Sequence, residues 1–447
     1  MKYRGMVAEQ AWQFTRLGRK ATRKPSAGQK SKSSPATADQ REMKINSTII
    51  AGLVCIRAAM NGAFAAETNV NDRLKALEDA VQTLQQENKD LKSQLGWDGK
   101  SPLVVAKAAG KETRLVLGGL VQGQAEFGGV PDSRFIGIED RALLRRARVS
   151  VCGGFLEYFD FKLEADFGAN SLSEKSSYSG QITDAFLNWN RYDAANVKCG
   201  QFKTPFGYDQ LVSDSKGLTI ERSLVNDRLT DGRQIGLGVT GDFLKKRLGY
   251  SIGTFMGTGV NNSFNDNDRF LFAGRLYGVP VRTELGKYEF KWTLAINGLS
   301  TRDNGLSRNG FGFDSTPATA ALDNLFSGNR ESFGVDTQFR WGPWGLDAEY
   351  LQTHVSQIPP GVPTTLNASG WYMTGTYLFL PKWQAVVRYE RFDPIFALAN
   401  NTTEEWTFGL TYYLKGDDLK FMVNYLVGHT GSNDDEGRLL TRVQYMF

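Results

Sequence analysis

Apolar and polar residues alternate with a period of two along most of the chain from Leu115 to Phe447. For example, Phe159 and Phe161 flank Asp160, and the spacing continues through that segment, so one face is apolar and the other is charged. Each run is about ten to thirteen residues long, near the length that a tilted strand needs to cross a bilayer. The pattern predicts sixteen strands, at approximately residues 115–127, 141–152, 158–167, 181–191, 195–203, 233–242, 247–257, 269–279, 288–299, 330–340, 345–356, 368–379, 383–392, 403–414, 418–430 and 437–447.

The connections between these strands alternate between long and short. Odd-numbered connections hold 6 to 30 residues, whereas even-numbered connections hold 3 to 8. Long external loops and tight periplasmic turns are typical of outer-membrane barrels. A soluble sandwich is not expected to alternate long and short connections along the chain. The sequence therefore predicts an all-β fold, a 16-stranded antiparallel transmembrane β-barrel at residues 114–447, preceded by a short N-terminal coiled-coil helix.

That helix is predicted from a seven-residue apolar repeat at residues 69–95. One core position holds Leu77, Leu84 and Leu91, and the other is aliphatic except at Asn88. A polar residue at such a position fixes the register and the number of helices in a coiled coil. Because about three heptads are marginal as an isolated helix, we expect self-association in the periplasm. The alternative is a solvated amphipathic helix, and residues 96–113 are expected to form a linker.

An export signal is predicted at residues 43–65. A charged start and a short apolar core precede the motif Ala63-Phe64-Ala65, after which we expect cleavage. Because such signals stand at the very N-terminus, we expect translation to begin at Met43. Residues 1–42 are then an over-extended N-terminus, expected to be disordered, and the alternative is an unusually long basic leader.

The formal net charge of +5 comes from the N-terminal part of the chain. The first 65 residues contain 12 basic and 3 acidic residues, and the rest contains 41 basic and 45 acidic residues. This balance does not favour a nucleic-acid partner. The two histidines, His354 and His429, lie far apart in or beside predicted loops. We therefore expect neither a metal or cofactor site nor a Ser–His hydrolase, and the sequence does not indicate an enzyme.

Four short motifs lie along the barrel segment: RRAR at 145–148, GQFKTPFG at 200–207, ERS at 221–223 and RYERFD at 388–393. They resemble the phosphate-selective porin O and P family. The resemblance implies a sixteen-stranded barrel in outer-membrane lipid, usually a homotrimer, whose third external loop folds inward and which passes small anions such as phosphate. The terminal Phe447 resembles the signal that such proteins present to the barrel-assembly machinery.

The alternation of lipid-facing and lumen-facing positions along the predicted strands places eleven basic and eleven acidic residues towards the lumen. Two pairs, Arg146 with Arg148 and Arg269 with Arg275, lie on strands whose lumenal parity lacks acids, so we expect them to form local tracks for anions. Ordinary cross-strand salt bridging is the alternative. The third loop, residues 204–232, adds Lys216 and Arg222. The candidate anion path comprises Arg146, Arg148, Lys162, Lys198, Lys216, Arg222, Arg269, Arg275, Arg388 and Arg442.

We therefore expect a passive outer-membrane porin with a weak preference for anions, phosphate included. A family name describes the selectivity of some members and need not transfer with the fold. The alternatives are a general, non-selective porin and a structural protein that tethers the envelope through its coiled coil.

Overall fold

The computed structural model of the chain describes residues 104–107, 114–169, 180–304, 327–356, 365–394 and 399–447. The predicted signal peptide and heptad segment lie outside the described residues. Within the described ranges the chain forms seventeen strands: β1 (Val104–Lys107), β2 (Arg114–Gly128), β3 (Arg141–Phe155), β4 (Phe159–Asp166), β5 (Gln181–Tyr192), β6 (Ala195–Lys203), β7 (Arg233–Phe243), β8 (Leu248–Phe255), β9 (Leu271–Leu285), β10 (Tyr288–Asn304), β11 (Ser327–Trp341), β12 (Trp344–Ser356), β13 (Thr365–Leu380), β14 (Trp383–Asp393), β15 (Thr403–Lys415), β16 (Leu419–Thr430) and β17 (Glu436–Met446).

Strands β2 to β17 form a closed antiparallel barrel. Each pairs with the next along the chain, and β17 returns to β2 with Arg438 opposite Gly128 and Met446 opposite Leu120. Closure leaves no unpaired edge, which a bilayer does not tolerate. The predicted sixteen-stranded barrel is confirmed. Strand β1 was not predicted. It lies in the segment that we predicted to be a linker, and it pairs with the first residues of β2.

The barrel wall is apolar outside and polar inside. On β16, Phe421, Val423 and Tyr425 are exposed, whereas the intervening Met422 and Asn424 are buried. A soluble β-sandwich would bury the apolar set, so this inverted distribution is that of a strand facing lipid. None of the helices in the described ranges is long and apolar enough to cross a membrane.

The largest difference from the predicted strand boundaries is in β9. Strand β9 continues to Leu285, and only Gly286 and Lys287 connect it to β10, whereas the sequence suggested a turn of eight residues. The prediction ended the strand before Pro280, but the ladder shifts register beside this proline. A bulge accommodates a residue that cannot donate a ladder hydrogen bond. Strand β9 also begins later than predicted, at Leu271, so Arg269 lies in the preceding loop.

Candidate pore constriction

The connection between β6 and β7, residues 204–232 and called loop L3 here, lies inside the barrel. It contains two short helices, α1 (Tyr208–Leu211) and α2 (Leu224–Leu229). Gln122 of β2 donates to the Asp214 carbonyl at 3.1 Å, and Gln444 of β17 donates to the Ser215 carbonyl at 3.0 Å. Loop residues also bond to β3, β11, β12, β14 and β16. The inward fold that the family resemblance implies is therefore present.

Helix α2 anchors L3 to the wall through apolar packing. Its residues Leu224, Val225 and Leu229 are buried in a cluster that includes Leu351 of β12 and Phe392 of β14. The helix forms here because Ser223 caps it, accepting a hydrogen bond from the backbone of the third residue after it. Burying three aliphatic side chains contributes roughly 5 kcal/mol, so this half of L3 is held firmly against β12–β14.

Two carboxylates of the barrel wall accept hydrogen bonds from the N-termini of the two short helices. Glu349 of β12 accepts hydrogen bonds from the Tyr208 backbone at 2.5 Å and from the Asn226 side chain at 2.9 Å. Glu390 of β14 accepts from the Leu224 backbone at 2.5 Å. The first N–H groups of a helix have no partner within the helix, and these carboxylates satisfy them. They position L3 against β12 and β14.

On the opposite side, L3 meets a group of arginines. Asp214 lies 3.1 Å from Arg146, 2.5 Å from Arg148 and 2.5 Å from Arg222. Burial alone would raise the pKa of Asp214, but the three guanidinium groups overcome it and hold that pKa well below its usual range. Asp214 is therefore ionised at neutral pH.

Glu221 forms a second junction of the same kind. Its carboxylate lies 3.0 Å from Arg145 of β3 and 2.5 Å from Arg442 of β17. Burial opposes ionisation here too, yet the two arginines lower the pKa of Glu221. Loop L3 is thus fixed to β3 and β17 by buried, charge-assisted hydrogen bonds, which are stronger than neutral ones.

The wall presents far more positive than negative charge to L3. Within the described residues, three acidic wall side chains contact the loop: Asp347, Glu349 and Glu390. Ten basic ones do so: Arg145, Arg146, Arg148, Lys203, Arg275, Arg330, Arg340, Arg388, Lys420 and Arg442. The loop itself carries three basic and five acidic residues. The region around L3 therefore has an excess of positive charge.

Residues 121–447 match the family model described as "Phosphate-selective porin O and P". The chain belongs to this family. Porin O of Pseudomonas aeruginosa is 23% identical over 416 residues, which cover 75% of this chain and 89% of the relative. An uncharacterised protein of Aquifex aeolicus is 23% identical over 321 residues, which cover 64% of this chain and 74% of the relative. The predicted function as an outer-membrane porin is confirmed.

Solved structures show the same fold. OmpF of Salmonella typhi, in complex with daunomycin, has a TM-score of 0.51 and 14% identity, and the match covers 75% of this chain and 98% of that one. An anion-selective porin from Comamonas acidovorans has a TM-score of 0.50 and 10% identity, with 75% and 100% covered. At these identities the likeness concerns the barrel alone.

Two predicted tracks of cations are not free of acids in this porin. Arg146 and Arg148 both pair with Asp214, which reaches them from L3, so the expectation from strand parity was wrong. Arg275 pairs with Asp336 of β11, which lies two strands away across β10. Arg269 is exposed in the loop before β9 and does not share a strand with Arg275.

Most other candidates are also paired. Lys162 lies 2.9 Å from Glu164 and 2.8 Å from Asp184, and Arg388 lies 3.0 Å from Glu390. The alternative of cross-strand salt bridging therefore describes these wall residues better than a free track of positive charge.

Lys198 and Lys216, like Arg269 in the loop before β9, have no ion pair within the residues that the structure describes. The Lys198 ammonium lies 4.3 Å from the ring centroid of Phe186 and 5.4 Å from that of Phe202. Lys216 is exposed on L3. These two cations are available to a passing solute.

Sequence reasoning missed Arg145 and Arg330. Alternation assigned Arg145 to the lipid face, but the β2–β3 ladder shifts register beside it, and its side chain bonds to Glu221. Arg330 stood at the very start of a predicted strand, yet it is buried against Asp231 of L3. For Arg145, the double arginine in RRAR was a signal, since two adjacent charges cannot both face the lumen on a regular strand.

Proposed function

We propose that this porin passes small anions, phosphate included, in preference to cations. The observation that carries the proposal is the set of ten basic and three acidic wall side chains that contact L3 within the described residues. A narrow passage with low-dielectric walls concentrates ions of opposite sign to its lining. The family's description and the similarity to Porin O agree with this preference.

The solute path in this proposal runs between L3 and the wall of β4–β8. Most polar contacts of the loop are with β2, β3 and β11–β17, and Phe206 of the loop belongs to the same apolar cluster as Phe202 of β6 and Phe255 of β8. The lumenal side of β7 and β8 is rich in glycine, including Gly236, Gly238 and Gly253. Lys198, which has no acid partner among the described residues, lies on this wall, and Lys216 projects from the loop. An anion crossing there meets both cations.

Charge substitution in planar bilayers tests the proposal. Replacing Arg146, Arg148 and Lys216 together by Gln should shift the reversal potential in a KCl gradient towards cations, because each change removes positive charge at L3. A matched control removes three exposed cations from the periplasmic end by replacing Lys287, Lys382 and Lys415 with Gln. Equal shifts in both variants would show that selectivity does not arise at L3.

A general, non-selective porin is the second candidate. It is favoured by the acids that already pair with most lumenal arginines, such as Asp336 with Arg275 and Glu390 with Arg388. Paired charges contribute little field beyond their own contact. A reversal potential near zero in the parent channel, unchanged by the three Gln substitutions at L3, would establish this candidate.

We further propose a homotrimer with the heptad segment in the periplasm, where Asn88 would face its equivalents at the axis. The C-terminal Phe447 is proposed to engage the barrel-assembly machinery. In the folded barrel its backbone pairs with Gly119 through two hydrogen bonds of 3.0 and 3.1 Å. Deleting Phe447 should therefore lower the amount of folded barrel in the envelope more than Phe447→Tyr does.

A further inference from the structure

We propose that Asp214 occupies an oxyanion-binding cluster formed by Arg146, Arg148 and Arg222, and that its carboxylate weakens the hold of the channel on tetrahedral oxyanions such as phosphate. The inference rests on the proposed anion function and names the residue that limits it. Three guanidinium groups converge on one carboxylate, at 3.1, 2.5 and 2.5 Å. Arginine is suited to phosphate as much as to carboxylate, because its planar fork of donors matches both.

The cluster holds more positive charge than Asp214 neutralises. Apart from Asp214, its direct ion-pair partners among the described residues are Asp166, 2.7 Å from Arg148, and Glu164, 3.7 Å from Arg148. The charges of Asp209 and Asp227 also act on Arg222, without a direct ion pair. Glu164 is shared with Lys162 at 2.9 Å, so it does not count fully towards Arg148. Arg146 has no other carboxylate partner in the described part of the chain and bonds otherwise to the amide of Gln122. A dianion would satisfy these arginines better than the single charge of Asp214.

The cluster borders a small cavity. A cavity of about 20 Å³ is lined by Arg146, Asp214, Arg222 and Arg442, among others. That is room for about one water molecule. The side chain of Arg222 is 20% exposed, so the cluster is open to solvent on that side. Shortening Asp214 would join its volume to this cavity and vacate the centre of the three arginines.

The Asp214 carboxylate is one of several contacts that hold this part of the loop. The Asp214 carbonyl is held by Gln122, and the Ser215 carbonyl by Gln444, at 3.1 and 3.0 Å. Glu221 and the apolar face of α2 fix the following segment. We therefore expect an Asp214 variant to keep L3 in place, which separates a role in filling the cluster from a role in bracing the loop.

The test compares Asp214→Ala with Asp227→Ala in the full-length channel. Asp227 is exposed on α2 and has no direct ion pair within the described residues, although its charge acts on Arg222. Its removal therefore changes the charge of L3 equally without vacating the centre of the cluster. Inorganic phosphate is titrated against the chloride current in planar bilayers. We expect phosphate to half-block Asp214→Ala at about tenfold lower concentration than the parent, the value of one charge-assisted hydrogen bond. Asp227→Ala should behave as the parent does.

Each other outcome overturns the inference. Equal sensitivity of the two variants would mean that only total charge matters. A larger single-channel conductance without phosphate block would mean that Asp214 braces L3. Asp214→Asn, which keeps the shape but removes the charge, replaces the Ala variant if that one does not fold, and it should also increase phosphate block. A cation-selective parent would refute the proposed function, whereas the comparison of phosphate block between variants tests the inference separately.

Discussion

The end of L3 depends on one buried arginine, and replacing it is the sharpest test of how the loop is held. Arg330 of β11 is 1% exposed and lies 3.1 Å from Asp231, the penultimate residue of L3, and 2.5 Å from Asp303 of β10. In Arg330→Met the two carboxylates lose their shared cation. Removing one partner of a buried ion pair costs about 3–5 kcal/mol.

The low end of that range applies here. Burial, reinforced by the nearby Asp303 carboxylate, already raises the pKa of Asp231 to about 6 despite Arg330. Without the arginine, Asp231 takes up a proton at neutral pH, and this protonation limits the cost. We expect a loss of about 3 kcal/mol, and Asp231→Asn in the Arg330→Met background should recover part of it.

Single-channel recording and thermal denaturation in detergent measure the effect. The α2 contacts remain, so L3 should stay inside the barrel while its C-terminal end moves, which adds current noise and lowers the melting temperature. Arg282→Met is the control, since its ion pair with Glu289 is exposed at the periplasmic end and should contribute nothing measurable. Noise and melting temperature identical in Arg330→Met and the parent would refute the reasoning.

Three further predictions concern other parts of the chain. Mass spectrometry of envelope-derived protein should find Ala66 at the N-terminus; an intact chain beginning at residue 1 would contradict the signal prediction. Substituting Ser for Leu77, Leu84 and Leu91 should make the N-terminal stalk more sensitive to protease and loosen the assembly; unchanged resistance would count against the coiled coil. Burial raises the pKa of Asp132 in the first external loop, but Arg134 outweighs it and lowers that pKa to about 2. The lowered value gives stability that is present above about pH 4 and lost as pH falls towards 2, so Asp132→Asn should flatten that part of the stability profile.

The fold was predictable because the alternation of apolar and polar residues along each strand is a local property of the sequence. Parity along each strand and the sorting of loops by length do not depend on distant residues, so the strand count was right without knowledge of register. Pro280 shows the limit, since only the ladder reveals that a bulge carries β9 past it. Strand β1 was missed because its four residues are too few for a period to be recognised.

The constriction was less predictable because its contacts join distant parts of the chain. Asp214 and Arg146 are brought together by an inward loop, and the pairing of Arg275 with Asp336 depends on the register of β10 against both of its neighbours. Parity tells which side of the wall a residue faces. It does not tell which charge on another strand or loop neutralises it.

The reversal potential of the unmodified channel in a KCl gradient tests the central claim most directly. The excess of basic wall residues around L3 predicts a potential displaced towards the chloride equilibrium value, and partial replacement of chloride by phosphate should reduce the current. A potential displaced towards the potassium value would contradict the account, because it would show that the loop acids, and not the arginines of the wall, set the field in the passage.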